Sequence, residues 1–387
     1  MSVTTLPTTG ELDIVGEVHF DYAASAPAIR AAADAVRDLL PLYGSVHRGT
    51  GARSQTSTLE YERARDTVAE FLGCRPGDEV IFTRNTTDAL NLLARSLPPG
   101  TTTIVFDGEH HANLLPWPNP LRLPIPATPG EAVELITQAM TQQNGPKLLA
   151  VTGASNVTGE IWPVRRLADV AHAYGARVVV DAAQLAPHVP VDLDDLGADY
   201  LALSGHKLYA PFGAGVLAGR RDWLDAAEPY LLGGGASAAV GDLRGDVIWA
   251  TGPARHEGGT PNLLGAVALG AVCAALLRAD RAALHQREQQ LMEGLEGVRL
   301  FGGRAARVGI VSFAVPDPAG IADRLAREYD IGVRAGQFCA HPLVRRLTGT
   351  TGADCATGGL LRASIGLGTT AEDVNRLRAA LTELRVI

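Results

Sequence analysis

Lys207, within Tyr200-Leu-Ala-Leu-Ser-Gly-His-Lys-Leu-Tyr209, is one of two lysines in a chain that carries thirty-two arginines. Arginine does the ordinary cationic work here. A lysine kept against that bias can do what arginine cannot: lose its proton when desolvated and form a Schiff base with a carbonyl. The other lysine, Lys147, merely opens an apolar run in Gly145-Pro-Lys-Leu-Leu149, so rarity alone assigns no role. The neighbours of Lys207 set it apart. Ser204 and His206 flank it, and both can donate hydrogen bonds to a phosphate.

Asp181 closes the run Arg177-Val-Val-Val-Asp181. Taken alone, it would as readily cap a helix starting at Ala182. Together with Lys207 it could pair with a protonated pyridine nitrogen, which strengthens pyridoxal phosphate (PLP) as an electron sink. Thr86 and Thr87 follow an apolar run and open a helix, where N–H groups and hydroxyls suit a phosphate or simply cap. In Glu109-His-His-Ala-Asn113 an imidazole could stack on a flat ring and move protons. Metal binding is the alternative reading, but adjacent histidines point in different directions, and no metal is expected. Arg334 and Arg362 could each clamp a carboxylate through a bidentate fork. Cys339, in Val333-Arg-Ala-Gly-Gln-Phe-Cys-Ala-His-Pro342, is bracketed by glycine and proline, so a loop is expected. A loop thiol can be exposed and nucleophilic, and His341 and Arg334 could favour its thiolate. Cys74 and Cys273 lie in apolar helical surroundings and read as inert. Cys355 is the rival loop cysteine.

These residues need a frame, and hydrophobic periodicity supplies one. Short apolar runs at 79–83, 103–106, 148–152, 177–181, 200–203 and 215–218 read as strands. Between them, 58–72, 87–96, 129–143 and 164–174 read as helices. The first of these is expected to carry Leu59, Ala64, Val68 and Phe71 on one stripe. Alternation of this kind predicts a mostly parallel sheet covered on both faces, a three-layer α/β arrangement. Ligands gather at the carboxyl ends of such strands. Thr86, residues 109–111, Asn156, Asp181 and residues 204–207 all fall there. From Leu263 the pattern changes to one long helical region, 263–295. Strand signals follow at 309–313, 331–334 and 361–365, and a final helix at 371–384, which predicts a smaller α+β unit. The Gly233-Gly-Gly235 run makes no dinucleotide fingerprint, and no phosphate-binding P-loop is present.

At 387 residues the chain is long enough for two domains with a substantial core. A formal charge of −8 without a basic block argues against nucleic-acid binding. The cysteines are dispersed without a C-x-x-C pair, no basic-then-apolar leader opens the chain, and residues 263–277 are shorter than the roughly 20 needed to span a bilayer. A protein of the reducing cytoplasm, without disulfides and without a membrane, is expected.

The ordered set Phe20-Asp-Tyr-Ala-Ala-Ser-Ala26, Val46-His-Arg-Gly49, Thr86-Thr87, Glu109 to Trp117, Ser155-Asn-Val157, Asp181-Ala-Ala-Gln184, Ser204-Gly-His-Lys-Leu-Tyr209, Gly259-Thr-Pro-Asn262, Arg334 with Cys339-Ala, and Arg362-Ala-Ser364 covers nearly the whole chain. It resembles the PLP-dependent class V aminotransferase superfamily, and within it the group II cysteine desulfurases and selenocysteine lyases. The resemblance implies PLP fold type I. Its large domain, 22–262, would hold a mostly parallel seven-stranded sheet, and its small domain, 263–387, would take residues 1–21 against it. It also implies roles. Lys207 would carry PLP as a Schiff base and shuttle protons, His110 would stack on the ring, Asp181 would pair with the pyridine nitrogen, and Gln184 would contact the phenolic oxygen. Thr86, Thr87, Ser204 and His206 would hold the phosphate, and Thr260 would reach the phosphate of a neighbouring subunit in a homodimer. Asn156 and Arg362, with Arg334, would hold the substrate carboxylate. Cys339 would take sulfur from L-cysteine, giving a persulfide and alanine, for delivery to an acceptor protein. Selenocysteine lyase activity is a close variant. Transamination, epimerisation or another elimination that ignores Cys339 is a second possibility, and a scaffold that has lost its chemistry a third. Two departures stand out: Gln337 and Phe338 replace the family's two histidines before the cysteine, and Asn85 stands where glycine is common.

Overall fold

The structure is a computed structural model that describes residues 18–387, apart from 244, 280, 296, 304, 305 and 351–358. Cys355 and residues 1–17 lie outside the described residues.

The centre is a seven-stranded sheet in the order Asp78–Thr83, Gly215–Arg220, Tyr200–Ser204, Arg177–Asp181, Lys147–Thr152, Thr102–Phe106, Pro120–Leu123. Only Gly215–Arg220 runs against its neighbours; the other pairings are parallel. Strands buried on both faces read as unbroken apolar runs, and every residue of Tyr200–Ser204 and Thr102–Phe106 is buried. The Pro120–Leu123 edge strand escapes the sequence reading because two prolines and an asparagine surround it and only Leu123 is buried. Helices cover both faces. In Ala52–Phe71 the buried stripe is Tyr61, Ala64, Val68 and Phe71, preceded by two serines. Leu59, expected on that stripe, is 49% exposed. It lies five residues before Ala64, well off the i, i+3, i+7 spacing that defines one face.

A second, antiparallel sheet of four strands has the order Leu300–Phe301, Ile310–Phe313, Leu360–Ser364, Arg334–Gly336. Its core includes Phe313, Leu325, Leu361, Val374 and Leu377. Phe20 belongs to this core, and Val18 pairs with Ile331. The expected helix over 263–295 is two helices, Leu263–Leu277 and Ala282–Glu293, bent by 85°. The first is apolar all round because it is wrapped by the helices Arg30–Leu39 and Ala52–Phe71, and Leu269, Val272 and Cys273 join the main core. Among the described residues no single helix is long and apolar enough to cross a membrane.

Candidate active site

The site is assembled at the carboxyl edge of the central sheet. Register places Thr152 beside Asp181 and Asp181 beside Ala202, two residues before Ser204. The turn after Ser204 then brings Lys207 into the edge row. A cleft of about 280 Å³ collects Thr86, Thr87, His110, Asn156, Asp181, Ser204, His206, Lys207, Arg334, Cys339 and Arg362. A larger cavity of about 490 Å³ lies alongside, lined by Glu109, Trp162, Arg299 and Arg346, but it holds neither lysine nor cysteine. The convergence of a lysine, a carboxylate, an imidazole and a thiol favours the smaller cleft.

Lys207 is half-buried, and burial lowers its pKa against the opposing pull of Asp181. Asp181 is 5% exposed, and burial raises its pKa. One of its oxygens accepts from the Ala183 N–H at 3.0 Å, so it makes the cap-like bond that its position suggested and still faces Lys207. His110 is driven down to about 3, first by burial and then by Lys207. Its Nδ1 accepts from the Ala112 N–H at 3.1 Å, which puts the proton of the neutral ring on Nε2.

The Thr86–Arg95 helix opens on the cleft. Ser204 Oγ accepts from the Thr86 N–H at 2.8 Å and lies 2.7 Å from Thr86 Oγ1. Asn85 caps the helix, its Oδ1 accepting from the Asp88 N–H at 3.0 Å. The side chain that replaces glycine here is therefore occupied with its own helix. Gly215 makes room for the Asn85 backbone: a Cβ there would lie 2.5 Å from Asn85 Cα. Exposed Thr87 is left at the helix N-terminus, which favours an anion.

The small unit closes the cleft. Arg334 and Arg362 are cross-strand partners, and both reach Asp21, at 3.4 and 2.9 Å. Arg362 is 3% exposed; its Nη1 donates to the Asn156 carbonyl at 3.0 Å, and its Nε has no partner among the described residues. Asn156 Nδ2 donates to the Phe338 carbonyl at 2.8 Å, and the Phe338 ring lies 4.6 Å from the Arg362 guanidinium carbon. Phe338 and Cys339 both have left-handed φ values, +52° and +53°. Such backbone costs about 1–2 kcal/mol per non-glycine residue. The Cys339 carbonyl accepts from the His111 N–H at 2.8 Å, and the rings of His111 and His341 are in contact at 4.5 Å. Cys339 is exposed, whereas Cys273 is buried and burial pushes the Cys74 thiol up to about 12.

Two expected residues stay outside the cleft lining. Gln184 is buried and donates to the Ala23 carbonyl at 2.8 Å. Thr260 is exposed and is not part of that lining. Asp21 and Phe338 were not singled out from the sequence as site residues. Asp21 stands inside Phe20-Asp-Tyr, a landmark of the resemblance, but only the fold brings it to the arginines.

A buried acid beside a lysine, a neutral flat imidazole, and a hydroxyl-lined helix N-terminus fit the ring, nitrogen and phosphate of PLP. The profile of the aminotransferase class-V family matches residues 18–377, and the chain belongs to that family. PLP is the cofactor of this family. Among its relatives, the probable cysteine desulfurase of Halalkalibacterium halodurans is 34% identical over 95% of this chain and 93% of its own. The cysteine desulfurase of Klebsiella pneumoniae is 35% identical with the same coverage. Two solved structures are similar throughout. The apo cysteine desulfurase of Thermococcus onnurineus has a TM-score of 0.84 at 32% identity, covering 95% of this chain and 94% of its own. The S-sulfonic acid form of the cysteine desulfurase CsdA of Escherichia coli has a TM-score of 0.82 at 33% identity, covering 96% and 95%.

Proposed function

We propose that this protein is a PLP-dependent cysteine desulfurase that converts L-cysteine to L-alanine and takes the sulfur as a persulfide on Cys339. The observation that carries this reading is an exposed thiol on the same cleft as Lys207, Asp181 and Arg362. When bound, PLP supplies an electron-withdrawing ring that stabilises negative charge developing on the amino acid. Lys207 provides the anchoring amine and a base for the proton at the substrate's α-carbon, and its lowered pKa suits that work. Asp181 would pair with the protonated ring nitrogen of the bound cofactor. His110, neutral, covers the ring. Thr86, Thr87, Ser204 and His206 hold the phosphate, and Gln184 lies at the edge near Ala23. Arg362, with its unspent Nε, and Asn156 hold the substrate carboxylate; Arg334 adds charge at the mouth. Cys339 Sγ bonds to the substrate sulfur as the Cβ–S bond breaks. The electron pair stays with the carbon, and a proton completes the methyl group of alanine.

A homodimer belongs to the same reading. Leu231, Leu232, Val240, Leu243 and Ile248 are each at least 56% exposed within one segment of the chain, apolar surface that a second copy could cover, and exposed Thr260 would complete the partner's phosphate site. The division of the chain into 22–262 and 263–387 is kept, with Leu263–Leu277 packing back on the first unit. A cytoplasmic setting and a sulfur-acceptor protein complete the proposal. It is tested by measuring alanine and sulfide from L-cysteine with a thiol reductant, wild type beside Cys339→Ala. Equal amounts of both from the wild type, lost in a variant that still binds PLP, are expected. Full activity in the variant would refute the persulfide step.

A further inference from the structure

We propose that Phe338 is a positioning residue that latches the thiol loop until the substrate carboxylate arrives, an inference that rests on the desulfurase reading above. The loop is held by the side chains that the reading gives to the carboxylate. Asn156 Nδ2 donates to the Phe338 carbonyl at 2.8 Å, and the Arg362 guanidinium faces the Phe338 ring at 4.6 Å. A third tie, the His111 N–H to the Cys339 carbonyl at 2.8 Å, starts from the residue after His110. Between these ties, Phe338 and Cys339 sit in succession at φ +52° and +53°. Backbone of this kind persists only while its surroundings hold it.

Arg362 is poised for an exchange of partners. It is buried, its Nη atoms are spent on the Asn156 carbonyl and Asp21, and its Nε has no partner among the described residues. A carboxylate arriving at Nε supplies the missing acceptor and draws Asn156 Nδ2 off the Phe338 carbonyl. It also neutralises the cation that the ring faces, and so weakens the cation–π contact. Both changes loosen the clamp on the left-handed pair, and Cys339 is released toward the substrate sulfur. An aromatic side chain at 338 is essential to this device, because only a π face attracts the guanidinium.

The test follows alkylation of Cys339 by iodoacetamide in the PLP-loaded full chain, read by peptide mass spectrometry, with and without L-alanine. Alanine carries the carboxylate but no sulfur. It is expected to speed alkylation of the wild type about tenfold, within the range of ordinary site-to-site coupling. Phe338→Ala and the size-matched Phe338→Leu are expected to alkylate fast without alanine and to gain little from it, and Phe338→Tyr to behave as wild type. Variants that react at the wild-type rate would overturn the latch. So would alanine that perturbs the cofactor's absorption yet leaves wild-type alkylation unchanged or slower. Alanine that fails to perturb that absorption would count against the desulfurase reading instead, and the variants' rates without alanine would still decide the clamp.

Discussion

Glu109 stands immediately before His110 and is 4% exposed. Its oxygens accept from the Thr152 N–H at 3.1 Å and from Asn113 Nδ2 at 3.0 Å. Neither partner carries a charge, so burial wins and pushes the carboxyl up to about 8. In the unfolded chain the same group titrates at about 4.3. The folded state therefore binds more protons between these values. The stability Glu109 contributes is fully present below the unfolded pKa and is lost as pH rises through 8. Thermal unfolding of Glu109→Gln should accordingly show a flatter decline in Tm across that window than the wild type. Parallel declines would mean that Glu109 is ionised in the fold. The sequence placed Glu109 at the sheet edge, but nothing in Glu109-His-His distinguishes a dry carboxyl from a wet one. That difference is made by strand Lys147–Thr152, which arrives more than thirty residues later in the chain.

Helix Leu263–Leu277 is legible as an apolar run, but its neighbours are not. Gly270 packs on the Ala52–Phe71 helix so closely that a Cβ would lie 2.9 Å from both Cα and Cβ of Ala64. Gly270→Ala sets two effects against each other. Helix propensity gains about 1 kcal/mol, while overpacking costs about 1–3 kcal/mol. The contact is with backbone, which yields little, so the variant's Tm should fall. A Tm at or above wild type, by calorimetry, would show that the two helices separate freely. The bend after this helix escaped the sequence reading for a related reason. Residues 278–281, Arg-Ala-Asp-Arg, contain neither glycine nor proline. Past the bend, Arg281 is held on the large unit, where its Nη1 donates to the Ala186 carbonyl at 3.1 Å and its guanidinium lies 5.9 Å from the Phe71 ring.

The two sheets are joined by a buried cation. Arg307 is 8% exposed; its Nε donates to Glu288 at 2.7 Å and its Nη2 to the carbonyls of Thr158 and Ile310 at 3.1 and 2.6 Å. One side chain thus ties helix Ala282–Glu293, the Ile310–Phe313 strand and the loop beside Asn156. Arg307→Ala would leave Glu288 buried with only His285 beside it, which costs up to about 3–5 kcal/mol. Urea unfolding should show that loss, and adding Glu288→Gln should restore part of it. An additive double mutant would show that the pair is not coupled.

The sequence by itself determined which groups gather at the carboxyl edge of the large sheet. Lys207, Asp181, Thr86 and His110 each follow an apolar strand, and parallel strands deliver their carboxyl ends to one edge, so local order sufficed to bring them together. Tertiary structure decided what Asp21 and the small unit bring to that edge. Arg334 meets Arg362 only through antiparallel register, and Asp21 reaches Arg362 across 341 residues of chain. Asn156 reaches Phe338 across 182. Such contacts leave no period or spacing in the sequence, because they join segments far apart in the chain, within the small unit and between it and the loop at Asn156. The place of Cys339 in the cleft is set by those contacts.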